Sequence, residues 1–468
     1  MKKSKTLAVN TTLFAVSNFG AKFLSFFMLP LYTYILSAEE YGCVDIVTST
    51  ALLLIPLLTL NIQDAVLRYT IDKSYDSADV LGVSVKIIGY SALPLLLVLY
   101  VVMYLNIFNI NDKYIVFMYV YYVAHSFYNV ISMHLRAVDK VKVFAIGGFL
   151  STLLTCLLNL TMLLWLKMGI NGYLIANCLG TILSLAYMFI AGRVYKSISF
   201  KSKNDLIRDM LIYSSPLIVN SLAWWINNLS DRYILVYFCG AAINGVYSVS
   251  YKIPTILSSI QHVFYNAWSI SAIKDFDRND CDGFIGRTYM YYICASMLLC
   301  SFILLANIPV AKLLYAKEFY TAWKYVPLLL VGTVFNGLAL FEGCIFTAVK
   351  QTSLISKTTV FGAIVNTILN ILLIPFWGAY GAALATMFGY FSIWLVRAYK
   401  LRSIISMKID IRVICTSVIL LMTQCFISLY PSLILIQVII IITLLILFKG
   451  YMKPIYLKIH SQIFRHKK

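Results

Sequence analysis

Eight charged side chains within long apolar runs are candidates for chemistry: Lys22, Lys86, Arg232 and Lys252 as cations, and Asp45, Asp64, Asp231 and Glu342 as acids. An ion in hydrocarbon costs several kcal/mol, so such groups face a hydrated cavity, a partner or the interface. Lys22 lies near the middle of its run, too deep to snorkel easily, and reads as a cavity residue. Asp231 and Arg232 are chain neighbours and point about 100° apart on a helix. At least one of them must reach another helix or a lumen, either as an interhelical lock between Asp231 and a cation on another span or as a ligand contact. Lys252, about two turns into its run, reads as a ligand contact. Asp45, Asp64, Lys86 and Glu342 fall within a few residues of the ends of their runs, which favours the interface for each. Asp45, Asp64, Glu342 and the mid-run His125 are the candidates for coupling to a proton or cation gradient. For His125 a satisfied core histidine is the competing reading. Trp224 and Trp225 fall mid-run, and aromatic faces stack on the C–H faces of sugars. Interhelical packing and lipid contact compete for them.

These groups need elements that hold them across a bilayer. About 30 Å of hydrocarbon requires roughly 20 mostly apolar residues per helical crossing. Cutting the chain at polar and turn-rich breaks gives fourteen such segments, at about 11–35, 43–66, 80–105, 114–135, 143–166, 169–192, 211–238, 242–270, 285–311, 322–347, 354–376, 378–400, 411–430 and 432–450. The fold class expected is an all-α polytopic membrane protein. Composition agrees: 61% of the 468 residues are apolar and only 12% charged, with a mean hydropathy of +0.84. A soluble globular protein carries about twice that charged fraction. The ten cysteines are scattered singly, mostly in apolar runs and without a CxxC pair, and read as small buried hydrophobes rather than a zinc site or disulfide framework. The start is basic, but Asn10, Asn18 and Lys22 interrupt the apolar stretch after it, which reads as a retained first span and not a cleaved signal peptide.

The net charge of +19 tests the topology, because Lys and Arg in short loops collect on the cytoplasmic side. With fourteen spans and both termini inside, 29 of the 38 basic residues fall on the cytoplasmic side and five on the external side. The basic balance is therefore a topology signal, not a nucleic-acid footprint. Internal repetition accompanies it. The segment around Gly42 resembles that around Gly245, Asp64-Ala65 matches Asn266-Ala267, and Gly169-x-x-Gly172 after Asn159 matches Gly378-x-x-Gly381 after Asn366. The offsets of 203, 202 and 209 imply a duplicated unit of about 205 residues holding six spans, hence a parallel repeat. The domains expected are an N-terminal six-helix bundle over 1–195, a basic cytoplasmic linker with an interfacial helix over 196–210, a second six-helix bundle over 211–403, and two further spans with a basic tail over 404–468. No P-loop occurs, and no hydrophilic stretch is long enough for a nucleotide-binding domain. External loops are too short for an outward catalytic site, so no enzyme, cofactor or metal is expected.

The patterns Asn18…Pro30…Leu36-Ser37-x-x-Glu40-Tyr41-Gly42…Asp64-Ala65-x-x-Arg68, Asp231-Arg232-Tyr233…Gly245-Val246-Tyr247-Ser248 and Asn366…Pro375…Gly378-x-x-Gly381-Ala382-Ala383 resemble, in this order, the polysaccharide transporter family. This is the O-antigen or oligosaccharide repeat-unit flippase group, Wzx-type, of the multidrug/oligosaccharidyl-lipid/polysaccharide exporter superfamily. The resemblance implies two six-helix bundles around a central cationic cavity that opens alternately to either side. It also implies translocation of an undecaprenyl-diphosphate-linked oligosaccharide across the bacterial inner membrane for surface polysaccharide biosynthesis. Lys22, Arg232 and Lys252 are the positions that could supply positive charge to the diphosphate or to acidic sugars. The partners implied are the lipid-linked oligosaccharide, membrane lipids, and the polysaccharide polymerase and chain-length machinery. Two alternatives of the same superfamily stay open: a cation-coupled multidrug antiporter and a lipid II flippase. The antiporter needs a membrane-embedded acid, whereas the deepest charge here is Lys22.

Overall fold

The computed structural model describes residues 20–72, 75–105, 111–199, 204–274 and 276–465, with backbone alone at 220, 270 and 452–465. The first part of the expected first span, positions 200–203 of the basic linker and the last residues of the basic tail lie outside the described residues. Among the described residues the regular structure is entirely helical. The chain divides into two compact units, Met1–Trp225 and Ile226–Lys468, with the boundary inside one helix.

In the first unit a helical stretch over 20–27 leads into α1 (Leu29–Ile35), with Pro30 in its first turn where a missing N–H costs nothing. The next helices are α2 (Ala38–Leu58), α3 (Ile62–Asp72), α4 (Ser77–Tyr104), α5 (Asp112–Ala137), α6 (Val141–Leu160), α7 (Gly169–Ala191) and α8 (Asn204–Ser214). Polar residues in the breaks cap the apolar runs. Ser37 and Glu40 form a reciprocal capping box at the start of α2, and Asp76 and Asn111 accept backbone N–H groups at α4 and α5. Ser37-x-x-Glu40 of the family-like pattern is thus a helix start. The core gathers Ile62, Val66, Leu81, Ile88, Leu135 and Met188 with Leu206 and Met210 of α8. Leu206 and Met210, one turn apart, dock α8 onto this core, and Tyr69 and Tyr75 hydroxyls donate to the Asp209 carbonyl (3.1 Å) and carboxylate (2.7 Å). The linker helix is therefore packed against the first unit.

The boundary helix α9 (Leu217–Cys239) leads into α10 (Ala241–Ser250), α11 (Lys252–Lys274), α12 (Phe284–Leu314), α13 (Val326–Ala348), α14 (Thr352–Leu401), α15 (Ile411–Ile427) and α16 (Ile434–Arg465). Nine helices among the described residues are long and apolar enough to cross a membrane. One of them, α14, carries the eleventh and twelfth expected runs, folded back at Gly378, whose φ of 53° and ψ of −134° are non-helical. The remaining expected runs correspond to residues 20–35, α9, α10 with α11, and the shorter apolar α15. The protein is an all-α polytopic membrane protein. The expected eighth span is broken at Tyr251, between α10 and α11.

The duplicated Gly-x-x-Gly occupies equivalent turns. Gly169 and Gly378 both have a φ of 53°, a left-handed value that glycine alone adopts without steric cost. At the second glycine the chain closes on itself. A Cβ at Gly172 would stand 3.0 Å from the Met162 Cβ, and one at Gly381 would stand 2.6 Å from the Leu373 carbonyl oxygen. The preceding Asn159 and Asn366 are both buried.

Candidate functional site

The second unit holds two buried polar centres. In the first, the Asp231 side chain of α9 is 2% exposed. It accepts from the Tyr247 hydroxyl of α10 at 2.7 Å, the Tyr251 hydroxyl at 3.2 Å, the Thr386 hydroxyl of α14 at 3.4 Å and the Arg232 backbone N–H at 2.9 Å. Where the sequence suggested a lock between Asp231 and a cation on another span, the partners from other helices are hydroxyls. Arg232 is half-buried, with its guanidinium 5.7 Å from the centroid of the Tyr251 ring. Tyr390 extends the polar seam by donating to Asn228 at 2.8 Å. Enclosed by four donors, Asp231 positions α9, α10 and α14 and presents no face to a bulky ligand in this conformation.

The second centre lies in α13. Glu342, read from its position as interfacial, is 0% exposed. The apolar run extends past it to Ala348, and α11, α12 and α14 enclose it, which distance to a run's end does not reveal. The Tyr289 hydroxyl of α12 donates to its Oε1 at 2.7 Å, and the Trp394 indole N–H of α14 donates to that same hydroxyl at 2.9 Å. Beside it Arg397, counted in sequence among the cytoplasmic cations, is only 4% exposed. Its guanidinium donates to Thr358 Oγ1 (2.9 Å), the Ala339 carbonyl (2.6 Å), Thr359 Oγ1 (3.0 Å) and the Ile355 carbonyl (3.3 Å). Sequence reasoning missed this arginine because its position near the end of α14 mimics a loop. The threonines at 358 and 359, a turn from the start of the same helix, were the available signal.

The other sequence candidates are dispersed. Lys22 is exposed on the 20–27 helix, between the half-buried Ala21 and the exposed Phe23. Lys252 opens α11 half-buried. Trp224 is 59% exposed, whereas the Trp225 indole N–H donates to the Ser49 carbonyl of α2 at 2.9 Å. Asp45 and Lys86 are half-buried in α2 and α4. Asp64, also half-buried, accepts from the Asn61 side chain at 2.7 Å, and Asn61 itself has a φ of 54°. That pair shapes the turn between α2 and α3. His125 of α5 stands 3.5 Å from the Thr181 hydroxyl, with its ring centroid 4.0 Å from that of Tyr121. The structure thus brings Asp231 and Arg232 together around Tyr251, and leaves Lys22, Asp45, Asp64 and His125 on separate elements.

A family described as Polysaccharide biosynthesis protein matches residues 7–268. The chain is 26% identical over 213 residues to the uncharacterized membrane protein MJ1068 of Methanocaldococcus jannaschii, covering 43% of this chain and 40% of that protein. It is 25% identical over 222 residues to the probable low-salt glycan biosynthesis flippase Agl15 of Haloferax volcanii, covering 46% of this chain and 45% of that protein. The matches span less than half the length of these relatives. Among solved structures, the inward closed conformation of the lipid II flippase MurJ aligns with a TM-score of 0.73 at 14% identity, covering 95% of this chain and all of that one. An inward-facing multidrug resistance MATE family transporter aligns at 0.64 and 13% identity, covering 83% and 95%. At these identities the likeness is one of fold.

Proposed function

The chain belongs to the polysaccharide biosynthesis protein family, and on that premise we propose that it is a flippase for lipid-linked oligosaccharides. The cargo in this reading is an undecaprenyl-diphosphate-linked repeat unit of a surface polysaccharide such as O-antigen, moved across the bacterial inner membrane by alternating access. The family match over 7–268 carries the reading. The names of a glycan biosynthesis flippase and a lipid II flippase among the similar proteins support the substrate class. The physical requirement is plain. A diphosphate and its sugars cannot cross hydrocarbon unaided, and cations on otherwise apolar helices replace part of the lost hydration. Lys22 meets that requirement best, because an exposed ammonium on an apolar helix needs water or an anion beside it. Arg232 and Lys252, both half-buried in the second unit, are further cations that meet it, and Trp224 has an exposed ring suited to a sugar face. Both termini lie in the cytoplasm in this reading, and a polymerase with its chain-length machinery takes the product.

The MATE likeness favours a multidrug antiporter as the second reading. Deletion of the protein followed by a leaflet assay of the lipid-linked glycan separates the two. Glycan accumulating on the cytoplasmic face supports the flippase. Normal export with lost drug resistance supports the antiporter. Lys22→Ala and Arg232→Ala are each expected to abolish translocation at unchanged expression, and full complementation by both would remove these cations from the cargo path.

A further inference from the structure

The Glu342 centre has an unfinished valence. Its Oε1 accepts from Tyr289, but its Oε2, equally buried, has no hydrogen-bond partner. Among the described residues Glu342 forms no ion pair. An ionised carboxylate in such a place would hold a buried oxygen without a hydrogen-bond donor and a charge whose nearby cation, Arg397, makes no direct ion pair with it, and both are costly in a protein interior. A carboxylic acid with its proton on Oε2 leaves a neutral group that still accepts from Tyr289. The charged and titratable groups facing it are Tyr289 from α12 and Arg397 from α14. Tyr292 adjoins Tyr289, while Cys344 and Tyr265 of α11 adjoin Arg397. Arg397 is the only cation of the set, and four of its five N–H donors go to two carbonyls and two hydroxyls, all neutral.

One of those acceptors ties the two groups together. Ala339, whose carbonyl takes Arg397 Nη1, lies three residues before Glu342 on the same helix, so both acceptors share one face of α13. Gly343, next along, keeps the approach open: a Cβ there would stand 3.2 Å from Nη1. A small shift of α14 along α13 would exchange the neutral carbonyl for the carboxylate.

We propose that Glu342 is a proton-binding site, holding a proton on Oε2 in the arrangement seen here and releasing it when Arg397 moves from the Ala339 carbonyl to the carboxylate. In the release step the Oε2–H bond breaks, the proton leaves to water, the electron pair stays on the carboxylate, and the guanidinium keeps its own proton. The ligand is thus H+. This deepens the transport reading, on which the site's use in coupling rests, but proton binding is a property of the isolated protein and is measured without any cargo.

The test is infrared difference spectroscopy of the full chain purified in detergent, with wild type compared against Glu342→Gln. Glutamine keeps the shape and still accepts from Tyr289, so folding is preserved. The carbonyl band of a protonated carboxyl is expected at neutral pH in the wild type and absent from Glu342→Gln. It should be replaced by carboxylate bands in alkaline buffer. Arg397→Met, which removes the facing cation, should keep the band to a pH higher by about one unit or more. Should Arg397→Met fail to fold, Arg397→Lys is expected to alter the midpoint in the same spectrum. Spectra of wild type and Glu342→Gln that differ only in ionised carboxylate bands at neutral pH overturn the proposal. So does loss of the protonated band on adding Na+ at constant pH, since the site would then hold a metal cation. A protonated band with no glycan flipping in the leaflet assay would leave this site standing and remove the flippase reading instead.

Discussion

The two units share a turn but not an interior. Each carries a Gly-x-x-Gly whose first glycine sits at a φ of 53° and whose second permits close approach. Yet among the described residues the first unit buries no Asp, Glu, Lys or Arg side chain, while the second buries Asp231, Asp280, Glu342 and Arg397. Asp280 serves as a loop acceptor, taking the Ile285 and Gly286 N–H groups at 2.9 Å each. The other three tie membrane helices together. A duplicated backbone therefore constrains chain reversal without constraining where charge is placed. The difference teaches that carboxyl and guanidinium groups are enclosed in one unit alone among the described residues, since a buried charge depends on the neighbours that surround it.

The sharpest way to break this contrast is to remove its largest centre. Asp231→Ala strands the hydroxyls of Tyr247, Tyr251 and Thr386, and is expected to cost about 3 kcal/mol or more, read as a lowered unfolding midpoint of the purified protein. By comparison, His125→Ala in the first unit should cost clearly less, since the Thr181 hydroxyl stands 3.5 Å from its ring. Equal losses would dissolve the distinction between the units.

The shared turn provides the next test. Gly169→Ala and Gly378→Ala should each cost about 1 to 3 kcal/mol, because a Cβ at this φ is strained although it would meet nothing within 4 Å at Gly169 and only the Cys239 sulfur, at 3.6 Å, at Gly378. Similar midpoint losses for the two would sharpen the view of a conserved turn with divergent interiors. A much smaller loss at Gly169 would show that only the α14 fold-back depends on it.

A smaller effect is expected from Trp225→Phe, which deletes the donor to the Ser49 carbonyl and should cost about 1 kcal/mol. Under the proposed flippase reading glycan export should be unchanged by it, in contrast to Trp224→Ala, which removes a ring that is 59% exposed. Export lost in Trp225→Phe but kept in Trp224→Ala would reverse these roles.

The smallest effect lies in the loop before α12. The Cys281 and Asn279 N–H groups donate to Asp277 at 2.7 and 3.1 Å and hold its carboxyl below the usual carboxylate range. With the folded value depressed, its stabilisation is present above the usual carboxylate value and is lost as the pH falls through the folded one. Faster amide exchange at Cys281 in strongly acid buffer, corrected for intrinsic rates, is the expected sign. Asp277→Asn should show no such acid step.

Much of the architecture was legible because a bilayer demands long apolar runs, and runs are a one-dimensional property. The breaks cut at Ser37, Asn111 and Asp410 prove to be capped helix starts for the same local reason. The Gly-x-x-Gly turns were legible from spacing. Depth was not. Glu342 and Arg397 look interfacial when residues are counted from the end of a run, but burial depends on which helices stand beside them. The helix boundary at Tyr251 was equally hidden within a single expected run, though Tyr251 carries a hydroxyl that reaches Asp231.

The sequence by itself determined that this chain is a polytopic helical membrane protein built on a repeat, because hydropathy and turn glycines act locally along the chain. Only the tertiary structure decided which charges are enclosed and by what: Asp231 by three hydroxyls and a backbone N–H, Arg397 by carbonyls and threonines, and Glu342 by one tyrosine with its second oxygen unpartnered. Those assignments come from side chains up to 155 residues apart in the chain, and the cost of burying a charge is set by such neighbours rather than by the residue that bears it.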